Sequence, residues 1–179
     1  REKFDEQLAH GFGLLLLHRL LRKRFGEDPA LWATLVAWLA SPLFFYIYLH
    51  PSMSHANSFF LAALLLSLYL GGDDMGRWAA MGAVAALMTL VRFQDALLLA
   101  AVIPAELLRR DGRPLRSRLA RYAAFCAAAL AVFSPQLLAW DYLQGSPFSG
   151  PRAYMMQGSV RPWAPVHALE VLFSPRHGL

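Results

Sequence analysis

The feature that most limits what this chain can become is Ala30–His50, a run uncharged from end to end. A helix crosses a hydrocarbon core of roughly 30 Å with about 20 apolar residues, and this run has that length and character. Apolar runs of the same kind occur at Ala56–Leu70 and Tyr122–Trp140, and Phe4–Leu21 is a further candidate span built around its apolar run Phe12–Leu17. Composition agrees: 57% of the 179 residues are apolar and 16% charged, against ~45–50% and about 25% in a soluble domain. A soluble bundle needs a polar face on nearly every helix, and most segments have none. Disorder and collagen-like repeats are excluded by the same composition, and a disulfide scaffold by the single Cys126.

The expected fold is all-α: a polytopic helical membrane protein with about six membrane helices and a short extracytoplasmic surface helix. Asp28-Pro29 is the expected N-cap and first-turn pair of the Ala30–His50 span, with Pro42 a kink. Gly71-Gly72-Asp73-Asp74 closes the Ala56–Leu70 run. As one helix, Arg77–Leu108 would be about 48 Å long, too long for a simple crossing. Arg92-Phe93-Gln94-Asp95 interrupts it. Two short helices, Trp78–Val91 and Ala96–Leu108, are therefore expected to form a hairpin that turns at Arg92–Asp95, recessed in protein or at a water-filled cavity.

Charge orients this layout. With alternating crossings, Arg19–Asp28, Gly71–Arg77 and the six-arginine loop Arg109–Arg121 share one face. That face holds eleven Arg and Lys, and the other holds six: Arg1, Lys3, Arg92, Arg152, Arg161 and Arg176. The richer face is expected to be cytoplasmic. One unbroken crossing through Arg77–Leu108 would put the six-arginine loop outside, so the hairpin is preferred. The formal charge of +5 then belongs to membrane anchors, and no nucleic-acid partner is expected. Residues 1–140 form the transmembrane region, and 141–179 an extracytoplasmic loop of the same membrane domain. Within that loop Val166, Leu169, Leu172 and Phe173 recur at helical spacing, as a surface helix would. The chain opens on Arg1 rather than Met and reads as a fragment, so no signal peptide is assigned.

No Walker loop, GxGxxG, GxSxG or Cys/His cluster occurs, and no cofactor or metal ligand set is read from the chain. Unusual polar residues collect on the expected outer side. One group is His50, Ser54, His55 and Asn57 around Pro51; singly, each also reads as a hydrogen-bonded loop residue. A second is Arg92, Gln94 and Asp95, where an ionisable residue between apolar runs marks function. Its plainer reading is an Arg92–Asp95 ion pair that stabilises the turn. Arg176-His177 forms a third group, in which a guanidinium beside a histidine suits a phosphate. The fourth, Trp140–Ser146, fits sugar binding or an interfacial aromatic belt.

Three stretches carry a resemblance. SPLFFYIYLHPSMSHANSFFLAALLLSLYL (Ser41–Leu70), LVRFQDALLL (Leu90–Leu99) and LFSPRHGL (Leu172–Leu179) resemble bacterial membrane glycosyltransferases related to family 39. That group includes protein O-mannosyltransferase and lipid A aminoarabinose transferase relatives, with the GT-C fold. The resemblance implies a multi-pass enzyme of the bacterial inner membrane. Such an enzyme takes a sugar from a polyprenyl-phosphate carrier and transfers it to an acceptor on the extracytoplasmic face. Arg92, His55, Arg176, His177, Asn57 and Asp95 are the residues expected to bind the donor phosphate or substrate. The family's catalytic acidic residue sits in an external loop expected upstream of Arg1, so these residues alone are expected to be inactive. A transporter or lipid-handling protein binding an anionic substrate is the alternative, and it would show interrupted helices paired in two similar halves. A purely structural subunit leaves Arg92 and Arg176-His177 unexplained.

Overall fold

The computed structural model describes residues 2–40, 55–96 and 114–148. Among them every regular element is helical: α1 (Glu2–Phe25), α2 (Glu27–Leu39), α3 (His55–Gly71), α4 (Met75–Val91), a 3-10 turn at Phe93–Asp95, and α5 (Leu115–Gln144). Two compact units divide the chain, Arg1–Gln136 and Leu137–Leu179. Pro42, Arg176, His177 and the surface helix expected near Val166–Phe173 lie outside the described residues. So does the expected return helix beyond Ala96.

Two expectations are corrected by local geometry. Asp28 is not the cap of α2. Gly26 is, at φ 88°, and Asp28 and Pro29 fall inside the first turn. Only Gly26 separates α1 from α2, and a one-residue reversal through a positive φ needs glycine. Pro29 is tolerated because first-turn N–H groups have no intrahelical acceptor to lose. The second correction is that the six-arginine stretch is not wholly a loop. Arg116, Arg118 and Arg121 stand on the first two turns of α5.

Turns of opposite chemistry mark the helix ends. α1 finishes on Arg22, Lys23 and Arg24, cations that suit the negative end of its dipole. Glu27 clamps the reversal, reaching His18 and Arg22 at 3.5 Å each. Asp74 caps α4: its Oδ1 accepts from the Arg77 N–H at 3.0 Å, and its Oδ2 pairs with Arg77 Nε at 2.8 Å.

Side-chain contacts set the helix directions in the first unit. His10 and Gly13 of α1 meet Phe59 near the start of α3. Further along, Arg24 shares a cavity of about 310 Å³ with Tyr69, Leu70, Gly72 and Asp73. α1 and α3 therefore run parallel. α4 returns against α3, bringing Arg92 to His55. α5 runs parallel to α4: Asp73 meets Arg121 at 3.1 Å, Trp78 meets Tyr122 edge-on at 5.6 Å, and Gly82 meets the Phe125 backbone. The basic ends of α1 and α5 thus gather with Asp73 and Arg77 at one end, and His55 and Arg92 at the other.

The core forms where α3, α4 and α5 meet. Leu61 and Leu65 pack with Trp78, Met81, Val84, Ala85, Met88 and Phe125, at the spacings that keep one helical face inward. Small residues let the backbones approach, as membrane helices require. A Cβ at Gly82 would strike the Phe125 carbonyl. The Trp78–Tyr122 pair adds about 0.5–1.5 kcal/mol beyond area burial.

The outer surface is apolar instead of polar. Only 6% of the most hydrophobic stretch of α5 is buried, and Phe12, Val36, Leu87 and Leu130 are exposed. A soluble core helix would be covered, whereas a lipid-facing one is not. Among the described residues α5 is the one helix long and apolar enough to cross a membrane, and α3 and α4 are shorter apolar helices of 17 residues each. Part of the expected six-helix layout falls on residues outside those described.

Two outcomes follow from this packing. Gly82→Ala should lower stability by about 1–3 kcal/mol by forcing α4 and α5 apart; unfolding in detergent measures it, and an unchanged melting temperature would refute the close approach. Asp74 offers a pH test. The Arg77 backbone N–H, with its guanidinium, holds the exposed Asp74 carboxyl below its ordinary range. Its contribution is therefore present above the unfolded pKa and lost as pH falls through the folded one. Asp74→Ala should lower the melting temperature at neutral pH, and the two proteins should converge in acid.

Candidate functional site

α4 breaks at Arg92, and the break creates the site. Arg92 leaves the helix with φ −147° and ψ 116°, while its N–H still bonds to Met88 O at 2.8 Å. The next three residues form a single 3-10 turn, closed by Asp95 N–H to Arg92 O at 2.9 Å. The extended residue swings its side chain to the start of α3. There Arg92 Nη1 lies 2.7 Å from His55 Nδ1, and Arg92 Nη2 donates to Gln94 Oε1 at 3.2 Å.

The chemistry of these contacts is one-sided. A guanidinium only donates, so His55 Nδ1 must accept, and the neutral ring carries its proton on Nε2. Both partners of Arg92 are neutral acceptors, and neither cancels its charge. Three of its five N–H groups have no hydrogen-bond acceptor among the described residues. The plain alternative, an Arg92–Asp95 ion pair, is not formed among the described residues. Asp95 keeps its Oδ2 buried with no hydrogen-bond partner there.

A second source of positive potential adjoins the guanidinium. α3 begins at His55, and its first turn carries no acidic side chain. The first N–H groups of a helix lack intrahelical acceptors and present the positive end of its dipole. Arg92 stands beside that end. A planar donor fork next to a helix N-terminus suits an oxyanion, and phosphate fits the fork bidentately.

Of the residues singled out in the sequence, the structure brings together His55, Arg92, Gln94 and Asp95. Asn57 is half-buried two residues along α3 and joins none of these hydrogen bonds. His50, Ser54, Arg176 and His177 lie outside the described residues. Of the Trp140–Ser146 group, Trp140 to Gln144 form the end of α5, and Gly145 N–H closes it on Asp141 O at 2.8 Å.

Two features were missed by sequence reasoning. Asp73, read only as a loop residue, accepts from Trp78 Nε1 at 2.8 Å and from Arg121 Nη1 at 3.1 Å. It ties the α3–α4 turn to α5 across 48 residues of sequence. No local signal announces such a pairing. The other is His10, 5% exposed, stacked 5.6 Å from Phe59, with neither ring nitrogen bonded among the described residues. An ionisable side chain within the first apolar segment was the available signal.

With the geometry in place, comparison with known families gives one further finding. The family described as dolichyl-phosphate-mannose-protein mannosyltransferase matches residues 4–140, a span that takes in α1 to α4 and most of α5. No curated protein and no solved structure matches the chain.

Proposed function

We propose, since the chain belongs to the dolichyl-phosphate-mannose-protein mannosyltransferase family of membrane glycosyltransferases, that Arg92 binds the phosphate of a polyprenyl-phosphate sugar donor. The observation that supports this is the guanidinium at the α4 break, which among the described residues is bonded to neutral acceptors alone and has donors to spare. In phosphate-linked sugar transfer the carbon–oxygen bond to the phosphate breaks and negative charge grows on the departing phosphate. A preorganised cation there is stronger in the transition state than in the ground state, which is the condition for speeding the reaction. His55 and Gln94 fix the fork, so little freedom is lost when the phosphate arrives.

The protein is a multi-pass enzyme of the bacterial inner membrane with the GT-C architecture, and its helices number about six. The basic end of the first unit faces the cytoplasm, because Lys and Arg are retained there. The Arg92 end then opens outward, where an acceptor would meet the donor. Arg176 and His177 supply further phosphate contacts, and Asn57 a polar contact to substrate. Residues 1–140 form the membrane region and 141–179 an extracytoplasmic loop. The catalytic acidic residue is not among these assignments. Which sugar is carried follows from the ring-binding groups and not from the phosphate contact.

Transfer from a radiolabelled polyprenyl-phosphate donor by the full-length protein tests this. Arg92→Lys keeps the charge but loses the planar fork, and should reduce transfer about tenfold. Arg92→Ala should reduce it by 10²–10³-fold, roughly the effect of removing one oxyanion donor. If Arg92 served only to balance Asp95, Arg92→Ala/Asp95→Ala would recover both folded yield and activity. Activity returning in that double variant would reject the phosphate role.

A further inference from the structure

Two polar atoms beside the Arg92 site are buried without a hydrogen-bond partner among the described residues: Asp95 Oδ2 and Ser58 Oγ. Native proteins keep such atoms few, and a bound ligand is one reason to keep them at all. Their positions relate to the same pair. Asp95 ends the turn that Arg92 begins, through the 2.9 Å bond of its N–H to the Arg92 carbonyl. It lies near enough to His55 for their charges to interact. Ser58, 8% exposed, follows His55 by three residues and so stands on the same side of α3, one turn further in. A carboxylate oxygen and a hydroxyl, each without a partner among the described residues, thus stand on the turn and the helix that the His55–Arg92 bond joins.

A phosphate does not explain them. A carboxylate repels a phosphate and has no proton to offer it. What it accepts are hydroxyl groups, and the donor has these on the ring joined directly to its phosphate. Cation for the phosphate and acceptor for the neighbouring hydroxyls, set side by side, is the pattern a sugar phosphate presents in reverse. We propose that Asp95 accepts hydrogen bonds from hydroxyls of the donor's sugar ring, with Ser58 as a second contact, so that these two residues determine which sugar is held. This rests on the reading of Arg92 as the phosphate-binding group.

Equilibrium binding to the full-length protein in nanodiscs tests the assignment, with two probes: a polyprenyl-phosphate sugar and the same polyprenyl phosphate without sugar. Wild type should hold the sugar-bearing lipid about tenfold more tightly. Asp95→Asn should erase most of that difference and leave the bare phosphate within about twofold, and Ser58→Ala should act in the same direction by less. Arg92→Lys should weaken both probes. A donor lacking the ring hydroxyls that Asp95 receives should bind wild type as weakly as the bare phosphate does. That arm needs no variant to fold. Equal affinity of wild type for both probes overturns the sugar assignment, and so does an equal loss of both in Asp95→Asn. Insensitivity of both probes to Arg92→Lys rejects the phosphate reading instead, whatever Asp95 does.

Discussion

An arginine set between apolar helices is tolerated only where its donors find acceptors, and the hydrogen bond from Arg92 to His55 meets that demand. The rest of the first unit is arranged around it. For the guanidinium to reach the start of α3, α4 must stop at Val91 and Arg92 must take an extended backbone. α4 must also lie antiparallel on α3, which the Leu61, Leu65, Met81 and Met88 core secures. At the far end, Asp73 ties the α3–α4 turn to Arg121 of α5. Gly82 lets α5 approach closely enough for the Trp78–Tyr122 contact beside it. One polar contact at each end and an apolar seam between them hold the three helices in register.

Much of this was legible in the sequence because it depends on one-dimensional patterns. The apolar runs announced helices, and α3 fills Ala56–Leu70 with one residue added at each end. The polar interruption at Arg92–Asp95 announced the break in α4, since no continuous helix of that length fits a bilayer. Basic residues at Arg22–Arg24 and Arg116–Arg121 announced that the ends of α1 and α5 would lie together. What stayed hidden depends on contacts between distant residues or on a single dihedral angle. Gly26 reverses the chain alone, so the Asp28 cap expected from composition was superseded. The Asp73–Arg121 bond and the burial of His10 arise from packing, which periodicity does not encode. The partner of Arg92 was the sharpest case: Asp95 is nearer in sequence, yet His55, 37 residues away, takes the bond.

That choice of partner carries the functional account. An arginine neutralised by a carboxylate would be a structural pin. Bonded to imidazole and amide acceptors, it keeps its charge for something else, while Asp95 keeps an oxygen for something else again. In a membrane glycosyltransferase of the mannosyltransferase type, a phosphate and a sugar are the groups such a pair would serve.

The proposed phosphate role requires the Arg92 turn to face outward and to meet the donor there. Phe93, 56% exposed in that turn, offers the direct measurement. With Cys126→Ala as background, Phe93→Cys in spheroplasts should react with an impermeant maleimide added outside, and saturating polyprenyl-phosphate sugar should slow the reaction. Leu115→Cys, at the start of α5, should react only after permeabilisation and at a rate the donor does not change. Labelling of Phe93→Cys only after permeabilisation, or at a rate indifferent to donor, would contradict the account.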